Sequence, residues 1–83
     1  MTDSEHAPDQ APLVIAQAAI PADAGRLRLD RAVLDLFPDQ VPARARARKL
    51  CRRGLVLLDG APAEGSRWVE PGQRVALLER DFF

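Results

Sequence analysis

The sequence predicts an α+β domain in which two short packed helices are followed by a small antiparallel sheet. Two successive stretches place apolar residues at spacings of three and four, the period of an amphipathic helix. The chain then changes to short apolar runs separated by Asp59-Gly60 and Pro71-Gly72, dipeptides that are typical of tight turns. Helices and strands in separate segments favour an α+β arrangement over an alternating one.

Length and composition favour one non-catalytic domain. The chain has 83 residues, of which 47% are hydrophobic and 29% are charged, the balance of a globular protein. A chain this short forms a thin core and leaves few residues for a catalytic pocket, so we expect no enzyme activity. Residues 1–11 are polar and lack apolar periodicity. They are predicted to form a disordered leader before a single domain over 12–83, with its core in 26–78.

The sequence carries no recognisable targeting or cofactor signal. No apolar run approaches the roughly 20 residues of a membrane span, and the N-terminus lacks the features of a signal peptide. We therefore expect a cytoplasmic protein without a membrane partner. The single cysteine, Cys51, and the single histidine, His6, are far apart in sequence, so no disulfide, metal or other cofactor is expected.

The first predicted elements are a strand and a helix. The apolar run in 13–20, between Pro12 and Pro21, predicts a short strand. A helix is predicted from Arg26 onward, and Pro38 ends it because proline cannot continue the hydrogen-bonding pattern. Its apolar face consists of Leu29, Val33, Leu36 and Phe37.

The second helix is predicted from about Pro42 to Arg53. Proline suits the first helical position, and Gly54 suits the C-terminal cap. The apolar face is formed by Ala43, Ala47, Leu50 and Cys51. Cys51 is therefore expected to be a buried, chemically quiet residue rather than a nucleophile.

The strands are predicted after Gly54. An apolar run over 55–58 leads into a hairpin turn at Asp59-Gly60, and the chain returns toward Trp68-Val69. A second turn at Pro71-Gly72 precedes a last strand over 74–78. Trp68 and the terminal pair Phe82-Phe83 are able to stack on bases, but aromatic residues in so small a domain are expected to pack.

Charge is distributed unevenly along the chain. The formal net charge is zero, yet the stretch 26–53 holds nine basic and three acidic residues and carries +6. No acid lies between Val41 and Leu58. An uncompensated cationic helix indicates a polyanionic partner. The alternative is that arginine serves only as a good helix former, with Asp30, Asp35, Asp39 or the acidic leader neutralising part of the face.

The cations of the second helix fall on two sides. Arg44, Arg48 and Arg52 recur every four residues and form one ridge beside the apolar face. The far side carries Arg46, Lys49 and Arg53. Asp30 and Asp35 are five residues apart and do not converge as an acid pair, so Asp30 is interpreted as a charge at the start of the first helix.

Several short motifs follow one another along the helical and strand regions. Arg28-Leu29-Asp30 opens the first helix and Leu36-Phe37-Pro38 closes it. Ala43-Arg44-Ala45 then precedes the basic helix. The strand region continues the series with Gly54-Leu55-Val56, Leu58-Asp59-Gly60 and Val69-Glu70-Pro71-Gly72-Gln73.

In order and spacing, these motifs resemble the ribosomal-protein S-four RNA-binding domain, also called the alpha-L RNA-binding motif. The resemblance covers residues 26–77. Within the family, the chain is most similar to the module appended to pseudouridine synthases. It implies a core that includes Leu29, Val33, Leu50 and Val56. It also implies five residues that face RNA, namely Arg28, Arg44, Arg48, Lys49 and Arg52.

The chain departs from the family pattern at four positions. Ala43 and Ala45 stand where the family usually has serines. Leu55 replaces a commonly basic residue, and Asp59 replaces an asparagine. These departures concern RNA contacts more than the fold.

The resulting hypothesis is a non-catalytic module that binds structured RNA, ribosomal or transfer RNA, through phosphate and shape contacts, with possible ribosome association. One alternative is a protein-interaction adaptor that uses the same basic helix and the apolar anchor Phe82-Phe83. Another is the RNA-binding fragment of a pseudouridine synthase, whose catalytic domain would require a longer chain.

Overall fold

The computed structural model describes residues 13–79 and confirms the α+β class. The predicted leader over 1–11 and the pair Phe82-Phe83 lie outside the described residues. Neither described helix has the length and apolar character needed to span a bilayer.

Within residues 13–79, six strands form two antiparallel sheets. The larger sheet has the order β1-β6-β3-β4, and the smaller pairs β2 with β5. The strands are β1 (Val14–Ala19), β2 (Leu27–Arg28), β3 (Val56–Leu58), β4 (Ala61–Pro62), β5 (Trp68–Val69) and β6 (Arg74–Leu78). The prediction placed a single sheet after the helices. The strand predicted within 13–20 is confirmed as β1, but it joins that sheet beside β6, a pairing between the two ends of the domain that no local pattern predicts.

The first helix, α1, spans Leu29–Leu36 and is shorter than predicted. Leu27 and Arg28 are not helical, because they pair with β5 across the smaller sheet. The N–H groups of Leu29 and Asp30 at the helix start donate to the carbonyls of Arg67 and Gly65, at 2.8 and 3.0 Å. The segment between β4 and β5 therefore satisfies donors that the first turn of a helix leaves free.

The second helix, α2, spans Arg44–Arg52. The prediction that Pro42 takes the first helical position is wrong, since Ala43 has an extended backbone and is the N-cap. The first helical hydrogen bonds therefore run to the Ala43 carbonyl from the N–H groups of Arg46 and Ala47, at 3.0 and 3.2 Å.

The predicted cap at Gly54 is confirmed. Gly54 has φ of +75°, a region that glycine enters without steric cost. Its N–H donates to the Cys51 carbonyl, and the next N–H, of Leu55, donates to the Leu50 carbonyl, both at 3.0 Å. This pair of bonds is the Schellman motif, which ends α2 and turns the chain into β3.

The two-residue hairpin at Asp59-Gly60 is also confirmed. Leu58 pairs with Ala61, and φ is positive at both turn residues, +51° and +87°. The Asp59 side chain has a further role, since its carboxylate accepts hydrogen bonds from the Arg74 backbone N–H at 2.9 Å and from Gln73 Nε2 at 3.2 Å. It thereby ties the hairpin to the start of β6.

One core joins the helices to both sheets. The four core residues implied by the family resemblance, Leu29, Val33, Leu50 and Val56, are all buried. Val69 of β5 and Val75 and Leu77 of β6 pack in the same cluster. Cys51 is buried as predicted. α2 is therefore held with its apolar side inward and its cations outward.

Candidate nucleic-acid interface

A groove of about 450 Å³ runs between α2 and the segment that connects β4 to β5. It is lined by Arg28, Asp30, Arg48, Cys51, Arg52, Glu64, Gly65 and Ser66. We call it the arginine groove. Three of its cations were predicted from the sequence as RNA-binding residues, and they come from two different elements.

The helical period of α2 explains the position of its cations in the arginine groove. Ala47, Leu50 and Cys51 are buried against the rest of the core, which sets the rotation of the helix. Arg44, Arg48 and Arg52, spaced by four residues, then form an exposed ridge beside the groove. The structure thus supports the predicted geometry of the ridge.

Asp30 anchors the arginine groove. Its side chain has no solvent exposure, and Oδ2 accepts a hydrogen bond from Arg28 Nη2 at 3.1 Å. Arg44 Nη2 lies 3.6 Å from Oδ1, close enough for an ion pair. One buried carboxylate therefore links a cation of β2 to a cation of α2. The prediction that Asp30 is a charge at the start of α1 is confirmed. That prediction did not include the contact of Asp30 with both arginines.

The arginine groove retains unused hydrogen-bonding capacity. Asp30 Oδ1 and Arg28 Nε are buried, and neither has a hydrogen-bond partner within residues 13–79. Arg48 and Arg52 are exposed and form no ion pair with another described residue. Their guanidinium groups are available to fork onto phosphate oxygens.

Gly65 lets the segment between β4 and β5 approach α1 closely. A Cβ atom at this position would lie 3.2 Å from Cβ of Asp30 and 3.7 Å from Cγ of Arg48. This approach brings Glu64 and Ser66 to the groove, where they add a carboxylate and a hydroxyl. Glu64 is exposed, so its negative charge opposes that of the nearby arginines.

Cys51 forms part of the groove wall without chemical activation. Burial, and to a lesser extent the negative charge of Asp30, together raise the pKa of its thiol from 9.0 to about 11. The thiolate is the reactive form of cysteine, so this environment suppresses nucleophilic reactivity at neutral pH.

Lys49 lies apart from the other four predicted RNA-binding residues. It borders a second depression of about 260 Å³ together with Ala45, Arg46, Leu50 and Arg53, on the other side of α2. The structure therefore brings Arg28, Arg44, Arg48 and Arg52 together around Asp30 and the groove, and leaves Lys49 with the far-side cations.

Asp35 and Asp39 form no ion pair with the α2 cations among the described residues. Asp35 pairs with Arg31 of its own helix, with Arg31 Nε 3.2 Å from Oδ1. Asp39 forms no ion pair with any residue of 13–79. Within residues 13–79, Arg44 is the one α2 cation that pairs with an acid, so the described acids neutralise a small part of the face, and the acidic leader lies outside the described residues.

Trp68 does not pack as the sequence led us to expect. Half of its surface is exposed, and the guanidinium carbon of Arg26 lies 4.4 Å from the centre of its ring. The two-residue strand β5 buries its other member, Val69, and alternation along a strand turns Trp68 outward.

Chemical signals other than the arginines are sparse. Within residues 13–79, no group of three His, Cys, Asp or Glu side chains is placed to hold a metal ion.

No protein-family model matches this chain, and neither a curated protein nor a solved structure matches it.

The sequence indicated Asp30 only as a helix charge and as one of several acids near the basic face, and it did not indicate Glu64 or Ser66 as groove residues. Asp30 has a local signal, since it lies two residues after Arg28, but its burial depends on the segment around Gly65. Glu64 and Ser66 have no periodic signal, because they lie in irregular structure.

Proposed function

We propose that this chain is a non-catalytic module that binds structured RNA, ribosomal or transfer RNA, through the arginine groove and the ridge of α2. The observation that carries the proposal is the convergence of Arg28, Arg48 and Arg52 on one groove, with Arg44 fixed beside it by Asp30. Resemblance to the S-four RNA-binding domain agrees with this assignment. A cytoplasmic location and association with the ribosome belong to the same proposal.

The arrangement of charges supports a polyanionic ligand. Cations from β2 and α2 meet at one groove, although the whole chain is neutral. Salt screens charges over about 8 Å at physiological ionic strength, so a ligand responds to this local cluster more than to the distant acids. Guanidinium groups match phosphate oxygens in geometry, and bound phosphates would supply the counter-charge that the helix lacks.

The mode of recognition follows from the type of side chain. Arginines that border an open groove contact phosphates and the shape of the backbone, and such contacts position a nucleic acid without reading its bases. Double-stranded RNA is recognised mainly in this way. We therefore propose binding to folded RNA with little dependence on sequence in the groove itself.

The decisive experiment compares two double variants that remove equal charge. Arg48→Ala/Arg52→Ala removes groove cations, and Arg46→Ala/Arg53→Ala removes far-side cations of the same helix. If about three to five phosphates of a duplex are contacted, the logarithm of the association constant falls with log salt at a slope of about −3 to −4.5. The groove variant should flatten this slope by about two units and the far-side variant by less.

Circular dichroism would establish that each variant is folded. Neither variant removes a partner of Asp30. Equal loss of affinity in both variants would contradict the groove assignment. Unchanged RNA affinity together with loss of binding to an acidic protein would favour the adaptor alternative. Lys49→Ala tests separately whether the far side also touches RNA.

A further inference from the structure

Trp68 occupies an unusual position for the largest side chain of so small a domain. It is half exposed, whereas its neighbour Val69 is buried. In the smaller sheet Leu27 pairs with Val69, and Arg28 pairs with Trp68. Directly paired residues of antiparallel strands have their side chains on the same face, so Trp68 and Arg28 lie together on the side away from the core.

Arg28 connects Trp68 to the arginine groove. Its side chain lines the groove and bonds to Asp30, while its backbone pairs with Trp68. Ser66, two residues before Trp68, also lines the groove. The exposed ring therefore continues the cationic surface rather than forming a separate apolar patch.

Arg26 covers the ring of Trp68 through a single cation–π contact. Its guanidinium carbon is 4.4 Å from the ring centre, and within residues 13–79 it forms no ion pair that would hold it there. An exposed cation–π contact is weak, and the stacking of a nucleobase on an aromatic side chain is stronger. A base is therefore able to displace the guanidinium from the ring.

We infer that Trp68 is a stacking platform for one unpaired base of the bound RNA, next to the groove that holds the phosphates. The base takes the place of Arg26 on the ring, and the displaced guanidinium remains beside the adjoining phosphate. Bases inside a duplex are already stacked on one another, so an exposed indole selects a base in a loop, a bulge or an overhang. The inference rests on the proposed function, because it takes RNA as the ligand of the groove.

The protein contains its own reporter for this contact, because Trp68 is the only tryptophan in the chain. We would titrate the protein with three RNA hairpins of one sequence, each closed by a loop without bases, with a blunt end, an overhang of adenosines, or the same overhang without bases. Stacking predicts quenching of Trp68 fluorescence by the adenosine overhang alone. The abasic overhang carries the same phosphates, so equal quenching by both overhangs would overturn the inference.

Substitution of the ring gives the second measurement. Trp68→Leu should weaken binding of the adenosine-overhang hairpin about tenfold and leave the affinity for the blunt hairpin unchanged. Trp68→Phe should weaken binding of the adenosine-overhang hairpin less. Full affinity of Trp68→Leu for the adenosine overhang would overturn the platform. If this variant does not fold, the three titrations of the unaltered protein still test whether a base stacks on Trp68.

The experiments distinguish an error in the stacking inference from an error in the proposed RNA-binding function. If Arg48→Ala/Arg52→Ala weakens binding of all three hairpins and Trp68→Leu weakens none, the groove binds RNA and the platform is overturned. If none of the hairpins binds the unaltered protein, both are overturned.

Discussion

Arg28 donates a hydrogen bond of 3.1 Å to Asp30, a carboxylate that is completely withdrawn from solvent. The same carboxylate has a second cation, Arg44, 3.6 Å from its other oxygen. Both arginines remain partly exposed, at 38% and 44% of their side chains. The buried acid thus holds the inner parts of two cations and leaves part of each side chain at the surface, an arrangement suited to a preorganised anion site.

Asp30→Asn should lower the free energy of unfolding by about 1–3 kcal/mol, because it weakens a charge-assisted hydrogen bond to a buried group. Asp35→Asn is the matched control. Asp35 also bonds an arginine, Arg31, but at an exposed position of the same helix, where such pairs contribute about 0.5 kcal/mol or less. Urea denaturation measures both values. Equal effects of the two substitutions would contradict the anchoring role of Asp30.

If the groove binds structured RNA as proposed, Glu64→Gln should strengthen this binding by about twofold to tenfold, because it removes a negative charge from the lining of the groove. The gain should shrink as salt is added. Asp23→Asn removes an exposed charge that does not line the groove, and it should leave affinity unchanged. Weaker binding by Glu64→Gln would show instead that the carboxylate accepts a hydrogen bond from the RNA.

Cys51 should react slowly with a thiol reagent in the folded protein. Its pKa is raised from 9.0 to about 11, so less of the reactive thiolate is present at any pH below that value. At pH 8 this rise in pKa lowers the thiolate fraction about 100-fold, and burial slows labelling further. Labelling should accelerate as pH rises toward 11. The urea-unfolded chain provides the reference rate, and an equal rate in the folded protein would mean that α2 is rotated from the described orientation.

Gly60→Val should destabilise the β3–β4 hairpin by about 1–3 kcal/mol, because a β-branched residue does not tolerate the φ of +87° at this position. Gly60→Asn should cost much less, since asparagine enters the left-handed region more readily. Thermal unfolding of the two variants makes the comparison. Equal melting temperatures for Gly60→Val and the unaltered protein would exclude this turn geometry.

Local sequence patterns determined much of this protein. The spacing of Leu29 and Val33 predicted the buried side of α1, and Gly54 predicted the end of α2. Asp59-Gly60 predicted the hairpin turn. These features depend on residues only a few positions apart, whose backbone preferences and side-chain periodicity act within one element. The ridge of α2 belongs to the same class, because helical geometry alone aligns residues spaced by four.

The tertiary structure alone decided how the elements meet. β1 joins the sheet beside β6, the segment around Gly65 buries Asp30, and pairing of β2 with β5 leaves Trp68 exposed. Each of these contacts joins parts of the chain that are distant in sequence, so no local preference encodes it. Helical spacing predicted the ridge that includes the groove cations Arg48 and Arg52, whereas Arg28 was expected there only from the family resemblance. The buried carboxylate between them, and the aromatic ring beside them, depend on long-range packing.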